Sequence, residues 1–192
     1  MKSVAIKCGF VLVIAGIFLF SSLGNQSFAL SFNDFINNAP GFNQDTNYNQ
    51  DFSWTHNPIP ISIASTITYA EVKIMAYDVD SDATDTDPKV IFSGRKEVDN
   101  IYAYDNGLKT FLGPLIGGSS VWEYTTFTLG SNFYDDIING LTLYLDSDAL
   151  GNNPYWVCQI GSSELKGTMV PLPGAFILFG TGLFRLAIYR RN

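Results

Sequence analysis

Tyr69-Ala-Glu-Val-Lys-Ile-Met-Ala-Tyr-Asp-Val-Asp80 alternates strictly: Ala70, Val72, Ile74 and Ala76 fall on one side of an extended chain, Glu71 and Lys73 on the other. A period of two is that of a half-buried β-strand. The apolar side runs on into Asp78 and Asp80, and a carboxylate turned inward at a strand end must meet a cation or hydrogen-bond donors. An acidic loop, Asp80-Ser-Asp-Ala-Thr-Asp-Thr-Asp-Pro88, follows.

Downstream, short strands are expected at turn-punctuated intervals: Val90 to Phe92, Asn100 to Tyr104, Lys109 to Leu112, Val121 to Leu129, Leu141 to Asp146 and Tyr155 to Leu165. Asp105-Asn-Gly107 is hairpin chemistry, since both central residues accept positive φ. Phe133 to Asn139 is the one short helix, ended by Gly140. Lys166 to Met169 reads as a linker. Upstream, Leu30 to Trp54 is rich in Asn, Gln, Asp and Phe, and its many aromatics imply one or two strands packed on the main sheets; Asn57-Pro-Ile-Pro60 then blocks a helix. About seven short strands with almost no helical periodicity make an antiparallel β-sandwich the expected fold.

Both ends of the chain differ from this middle. Lys2 and Lys7 precede the apolar run Cys8 to Leu23, and Ser27-Phe28-Ala29 offers small residues where a signal peptidase reads, so 1–29 is expected to be a signal peptide cut after Ala29. At the other end, Val170-Pro-Leu-Pro-Gly174 introduces an apolar run to Ile188, with Arg185 near enough to the end to snorkel, closed by Arg190 and Arg191. This pattern is that of a short membrane helix with a cytoplasmic positive end. The domain between, 30–169, carries six basic against eighteen acidic residues, a formal charge of −12. Such a balance repels nucleic acid and anionic membranes and suits divalent cations or solubility. It holds one cysteine, Cys158, so no disulfide closes within it.

The residues Val170-Pro-Leu-Pro-Gly174, Leu178-Phe-Gly-Thr-Gly-Leu183 and the Arg190-Arg191 pair resemble the C-terminal sorting signal of PEP-CTERM proteins in a Val-Pro-x-Pro variant. The resemblance covers the last eighth of the chain. It implies a bacterial export substrate, recognised at the proline motif by an exosortase-type membrane protease, in cells that make exopolysaccharide. More faintly, Ala76-Tyr-Asp-Val-Asp80, Glu97-Val-Asp99, Leu112-Gly-Pro-Leu115, Trp122 with Thr126-Phe127, and Leu143-Tyr-Leu-Asp146 resemble jelly-roll modules found in such cargo and in carbohydrate-binding domains.

Candidate chemistry is sparse. Asp78, Asp80, Asp82, Asp85, Asp87 and Asp99 are the one acidic cluster; Asp78, Asp80 and Asp99 are the expected ligands of a structural Ca2+, against the alternative of a solvated loop. The spacing is not that of an EF-hand, because Ala83 and Lys89 stand where its glycine and bidentate glutamate belong. His56 is the only histidine; a Cys158–His56 dyad is conceivable, but Cys158 alternates within a strand and reads as core. Trp54, Trp122 and Trp156 are either sugar platforms or sandwich core; core is preferred at Trp122 and stays open at Trp156, and Trp54 and Trp156 are taken as the candidate platform. The expected function is that of an exported, non-enzymatic envelope or matrix protein, the alternative a calcium-stabilised carbohydrate-binding module. Expected partners are signal peptidase, the exosortase-type protease and matrix polysaccharide.

Overall fold

The computed structural model describes residues 28–46, 50–60, 65–83, 86, 88–93, 96–150 and 156–171. Residues 1–27 of the expected signal peptide 1–29, Asp85 and Asp87, and, from the expected sorting segment, Leu172, Pro173, Gly174, the apolar run, Arg190 and Arg191 lie outside these residues. Among the described residues no helix is long and apolar enough to cross a membrane.

The chain divides into two units, and nearly all the described structure belongs to the one comprising Ser31–Ile61 and Ile67–Met169. Among the described residues eight strands form in chain order: β1 (Leu30–Ile36), β2 (Phe52–Thr55), β3 (Ser65–Tyr77), β4 (Asn100–Asp105), β5 (Leu108–Pro114), β6 (Trp122–Thr128), β7 (Thr142–Asp146) and β8 (Gln159–Pro171). They build two four-stranded sheets, β1-β8-β3-β6 and β2-β7-β4-β5. The β3·β6, β2·β7, β4·β7 and β4·β5 pairs are antiparallel.

The alternation of β3 positions the first sheet. Ala70, Val72, Ile74 and Ala76 are all buried, and opposite them on β6 Thr125 and Phe127 turn inward, with Ile74 paired to Thr125 and Val72 to Phe127. The second sheet answers with Trp54 across from Leu143, Leu143 across from Ala103, and Ile101 across from Leu145. These inner faces, together with Ile160 and Leu165 of β8, form one apolar core. Burying each large aliphatic side chain contributes about 1.5–3 kcal/mol against leaving it exposed. The middle of the chain is therefore a β-sandwich.

Local chemistry sets the corners. Asn106 (φ 49) and Gly107 (φ 81) are both left-handed, as a two-residue hairpin between β4 and β5 requires. A 3-10 turn at Ser131–Phe133 leads into helix α2 (Tyr134–Asn139), which buries Ile137 and ends at Gly140 with φ 109.

Two expectations are corrected. Val90 to Phe92 is not a strand but part of helix α1, Pro88–Ser93. β-Branched and aromatic residues favour a strand, but Pro88 sits at the first helical position, where its fixed φ and missing N–H cost nothing. Lys166 to Met169 is no linker either: it continues β8, with Leu165 and Met169 buried in the core.

Candidate functional site

Glu97 and Asp99 lie on the irregular approach to β4, two residues apart. Their stretch is tied down on both sides, since the Ala149 N–H donates to the Val98 carbonyl (2.7 Å) and the Leu115 N–H to the Asp99 carbonyl (2.8 Å). The Asp148 N–H donates to Asp99 Oδ1 at 2.9 Å and fixes that carboxylate. Cys158, just before β8, bridges to Thr46 by two backbone hydrogen bonds. The Thr46 hydroxyl lies 2.9 Å from the Cys158 carbonyl and 3.3 Å from its Sγ, so the hydroxyl donates to the carbonyl while the thiol donates to the hydroxyl oxygen.

The donor atoms of Glu97, Asp99 and Cys158 lie within 4.8 Å of one another, the only such group of three metal-ligating residues among the described residues. All three side chains are shut off from solvent. Glu97 Oε1, Glu97 Oε2 and Asp99 Oδ2 find no hydrogen-bond donor outside the group, within which Glu97 and Cys158 both face Asp99. Burial, then the Asp99 charge, pushes the Glu97 carboxyl up to about 11, and burial pushes Asp99 up to about 6. Burial first, and the Asp99 charge second, also hold the Cys158 thiol well above its ordinary range. Without a cation, this site prefers to be protonated.

The expected triad Asp78, Asp80 and Asp99 does not assemble. Asp78 takes a left-handed φ of 56 that breaks the strand's alternation, and its Oδ1 accepts the Ser120 N–H at 2.7 Å. Asp80 is buried, but its cation is Lys89 from α1, which ion-pairs with Asp80 and stands 3.8 Å from Asp78. The chain thus supplies the positive charge that an inward carboxylate demands, and Asp99 faces Glu97 and Cys158 instead. Of the expected ligands only Asp99 belongs to the group of three; the Glu97-x-Asp99 spacing, which sets two side chains on one face of an extended segment, was the signal for its neighbour.

The expected sugar platforms are corrected as well. Trp54 is buried with Phe42 against it at 5.3 Å, and Trp156 is buried beside Ala83 and Val90 with Lys89 over its ring at 5.4 Å. Both sit inside because their strands or loops turn those positions to the core. Trp122, expected inside, is 43% exposed, since it pairs with outward-facing Tyr77 at the end of β3. Its ring lies 5.1 Å from Tyr77, and two residues on along the same face Lys73 caps the exposed Tyr124 ring at 3.9 Å.

His56 does not meet Cys158. Its Nδ1 is 2.8 Å from Asp34 Oδ2 and its Nε2 is 2.8 Å from Ser163 Oγ. Burial pushes Asp34 up, but the hydrogen bonds from Asn57 and His56 outweigh it and hold the carboxyl below its usual range. Asp34 is therefore an ionised acceptor. Nδ1 carries the proton, Nε2 accepts, and Ser163 donates. The order Ser–His–Asp is that of a nucleophilic triad, but Ser163 and His56 are both fully buried, so no substrate reaches the hydroxyl. The chain of hydrogen bonds fastens β1, the end of β2 and β8. No protein-family model matches the chain, and no curated protein matches it.

Proposed function

We propose that the chain is an exported, non-enzymatic protein of the bacterial envelope or exopolysaccharide matrix, with a jelly-roll-like sandwich carried between a signal peptide (1–29) and a membrane-spanning sorting segment (170–192). Signal peptidase acts at the first and an exosortase-type protease at the second. The observation that carries this reading is the run of β8 from its buried Met169 into Val170 and Pro171, the first two residues of Val170-Pro-Leu-Pro-Gly174, so the motif follows the sandwich with no spacer. Val170 and Pro171 are extended, so a protease that reads the motif meets non-helical backbone at its start. The burial of Ser163 and His56 supports a structural over a catalytic role. Mass spectrometry of both ends of the mature protein from the producing cells tests the reading. The expected result is an N-terminus at Leu30 and a C-terminus at or just beyond the proline motif, in the envelope or matrix fraction. A cytosolic protein retaining 1–29 and 170–192 overturns it.

One observation favours a second reading, binding of matrix polysaccharide. Tyr77, Trp122 and Tyr124 line the outer face of β3 and β6, and aromatic faces with polar edges suit sugar rings. Retention on matrix-polysaccharide columns that disappears in Trp122→Ala supports it; equal passage of parent and variant rules it out.

A further inference from the structure

The buried group of Glu97, Asp99 and Cys158 stands apart from the export reading and calls for its own account. Its carboxylates are enclosed, three of their oxygens find no donor outside the group, and Asp99 is held in place by the Asp148 N–H at 2.9 Å. A buried, unpaired carboxylate is costly, and either a proton or a cation relieves it. The nearby ammonium of Lys89 is engaged by Asp80 and Asp78. Sulfur decides which outside cation fits. Calcium and magnesium take oxygen donors, whereas a thiolate beside carboxylates suits a borderline first-row ion.

We infer that Glu97, Asp99 and Cys158 form a structural site for a divalent transition-metal ion of the zinc class. Four-coordinate zinc, with bonds of about 2.0–2.3 Å, places neighbouring donor atoms ~3.5 Å apart. Donor atoms already within 4.8 Å need only small side-chain rotations to close on it. On binding, the ion takes the place of the thiol proton and of the carboxyl proton that the metal-free site retains, and both protons leave to solvent; no electron moves. Thr46 then donates to the sulfur or to the Cys158 carbonyl and orients the ligand from behind, as Asp148 does for Asp99. Because the site is enclosed, the ion binds as the sandwich closes, and its binding energy becomes folding energy.

The test uses the full chain in detergent with Cys8→Ser, which leaves Cys158 as its one thiol, stripped by chelator and titrated with Co2+. The expected result is saturation at about one equivalent, with near-ultraviolet thiolate-to-cobalt charge transfer, intense visible bands of four-coordinate cobalt, displacement by Zn2+ and a higher melting temperature. Cys158→Ser removes the charge-transfer band, and Glu97→Gln, which keeps the side-chain shape, lowers Co2+ affinity at least about tenfold. If Cys158→Ser fails to fold, Glu97→Gln carries the test. The inference is overturned by a folded parent that takes up no Co2+, by Co2+ uptake without the thiolate band, by unchanged affinity in Glu97→Gln, or by stabilisation with Ca2+ and none with Zn2+.

Discussion

His56 shows how one buried ring can set the acid sensitivity of a fold. Burial pulls its imidazole below the ordinary range, against the opposing hydrogen bond and charge of Asp34. A histidine that is neutral when folded and ordinary when unfolded contributes stability that is present above about pH 6.5 and lost as pH falls below it, because the unfolded chain takes up the proton first. Asp34 acts in the same sense lower down, its folded carboxyl being held below the value it has when unfolded. The His56 contribution should therefore fall on acidification below about pH 6.5, by up to about 1.4 kcal/mol per pH unit, while Glu97 and Asp99, whose folded carboxyls are raised, act in the opposite sense; the difference between parent and His56→Gln isolates it. Since the chain has one histidine, a single set of imidazole resonances reports it. They should show the Nδ1–H tautomer and a titration midpoint below 6.5. Ser163→Ala leaves Nε2 buried without a donor and should cost about 1–3 kcal/mol by denaturant unfolding. A ring that titrates normally and a variant of parental stability would contradict both statements.

Among the elements, β8 is the one whose small residues matter most. A Cβ on Gly167 would lie 2.2 Å from the Tyr69 carbonyl oxygen and 2.5 Å from Phe32 Cζ; one on Gly161 would meet only the ends of Trp122 and Met75, at 2.6 and 2.8 Å. Backbone cannot step aside as a side chain can. Gly167→Ala should therefore destabilise by about 3 kcal/mol or more and Gly161→Ala by about 1 kcal/mol, the range expected of overpacking, as melting temperatures of the two variants will show. The same strand shows where sequence reading runs out. The period of β3 is legible because one of its faces is apolar and the other charged, but β8 hides its period behind Gly161, Ser162, Ser163 and Gly167, so that its end reads as a linker. Val90 to Phe92 misled in the opposite way: strand-forming side chains follow a proline that starts a helix. At the site, the shared face of Glu97 and Asp99 could be read from their spacing, whereas the approach of Cys158 depends on its pairing with Thr46 and on the order of strands, which no local pattern encodes. Trp54 and Trp122 are chemically alike, and only strand register separates the one within from the one outside, whereas Trp156 is enclosed by Ala83 and Val90 apart from any strand.

Over the whole chain, the placement of the last strand governs when folding can finish. β8 lies between β1 and β3, so its sheet has no continuous middle until the end of the domain is available. The early strands cannot complete their backbone hydrogen bonds, and an unpaired pair of sheet edges is exposed meanwhile. The proposed export of an unfolded chain, with folding outside, fits this order, since the strand that closes the sheet emerges directly before the proposed sorting motif. The proposed boundary accords with the same order: cleavage before Leu165 would remove core residues Leu165 and Met169, whereas cleavage after Pro171 spares every described residue of the strand. Two truncations separate the cases. A chain of residues 30–158 should show no cooperative unfolding transition, because it leaves β1 and β3 without the strand between them. A chain of residues 30–173 should unfold cooperatively in a single transition, with Gly167→Ala still destabilising it by about 3 kcal/mol or more. Cooperative unfolding of the shorter chain at the same midpoint would mean that β8 is dispensable to the sandwich, and that the proposed sorting segment is not coupled to its closing strand.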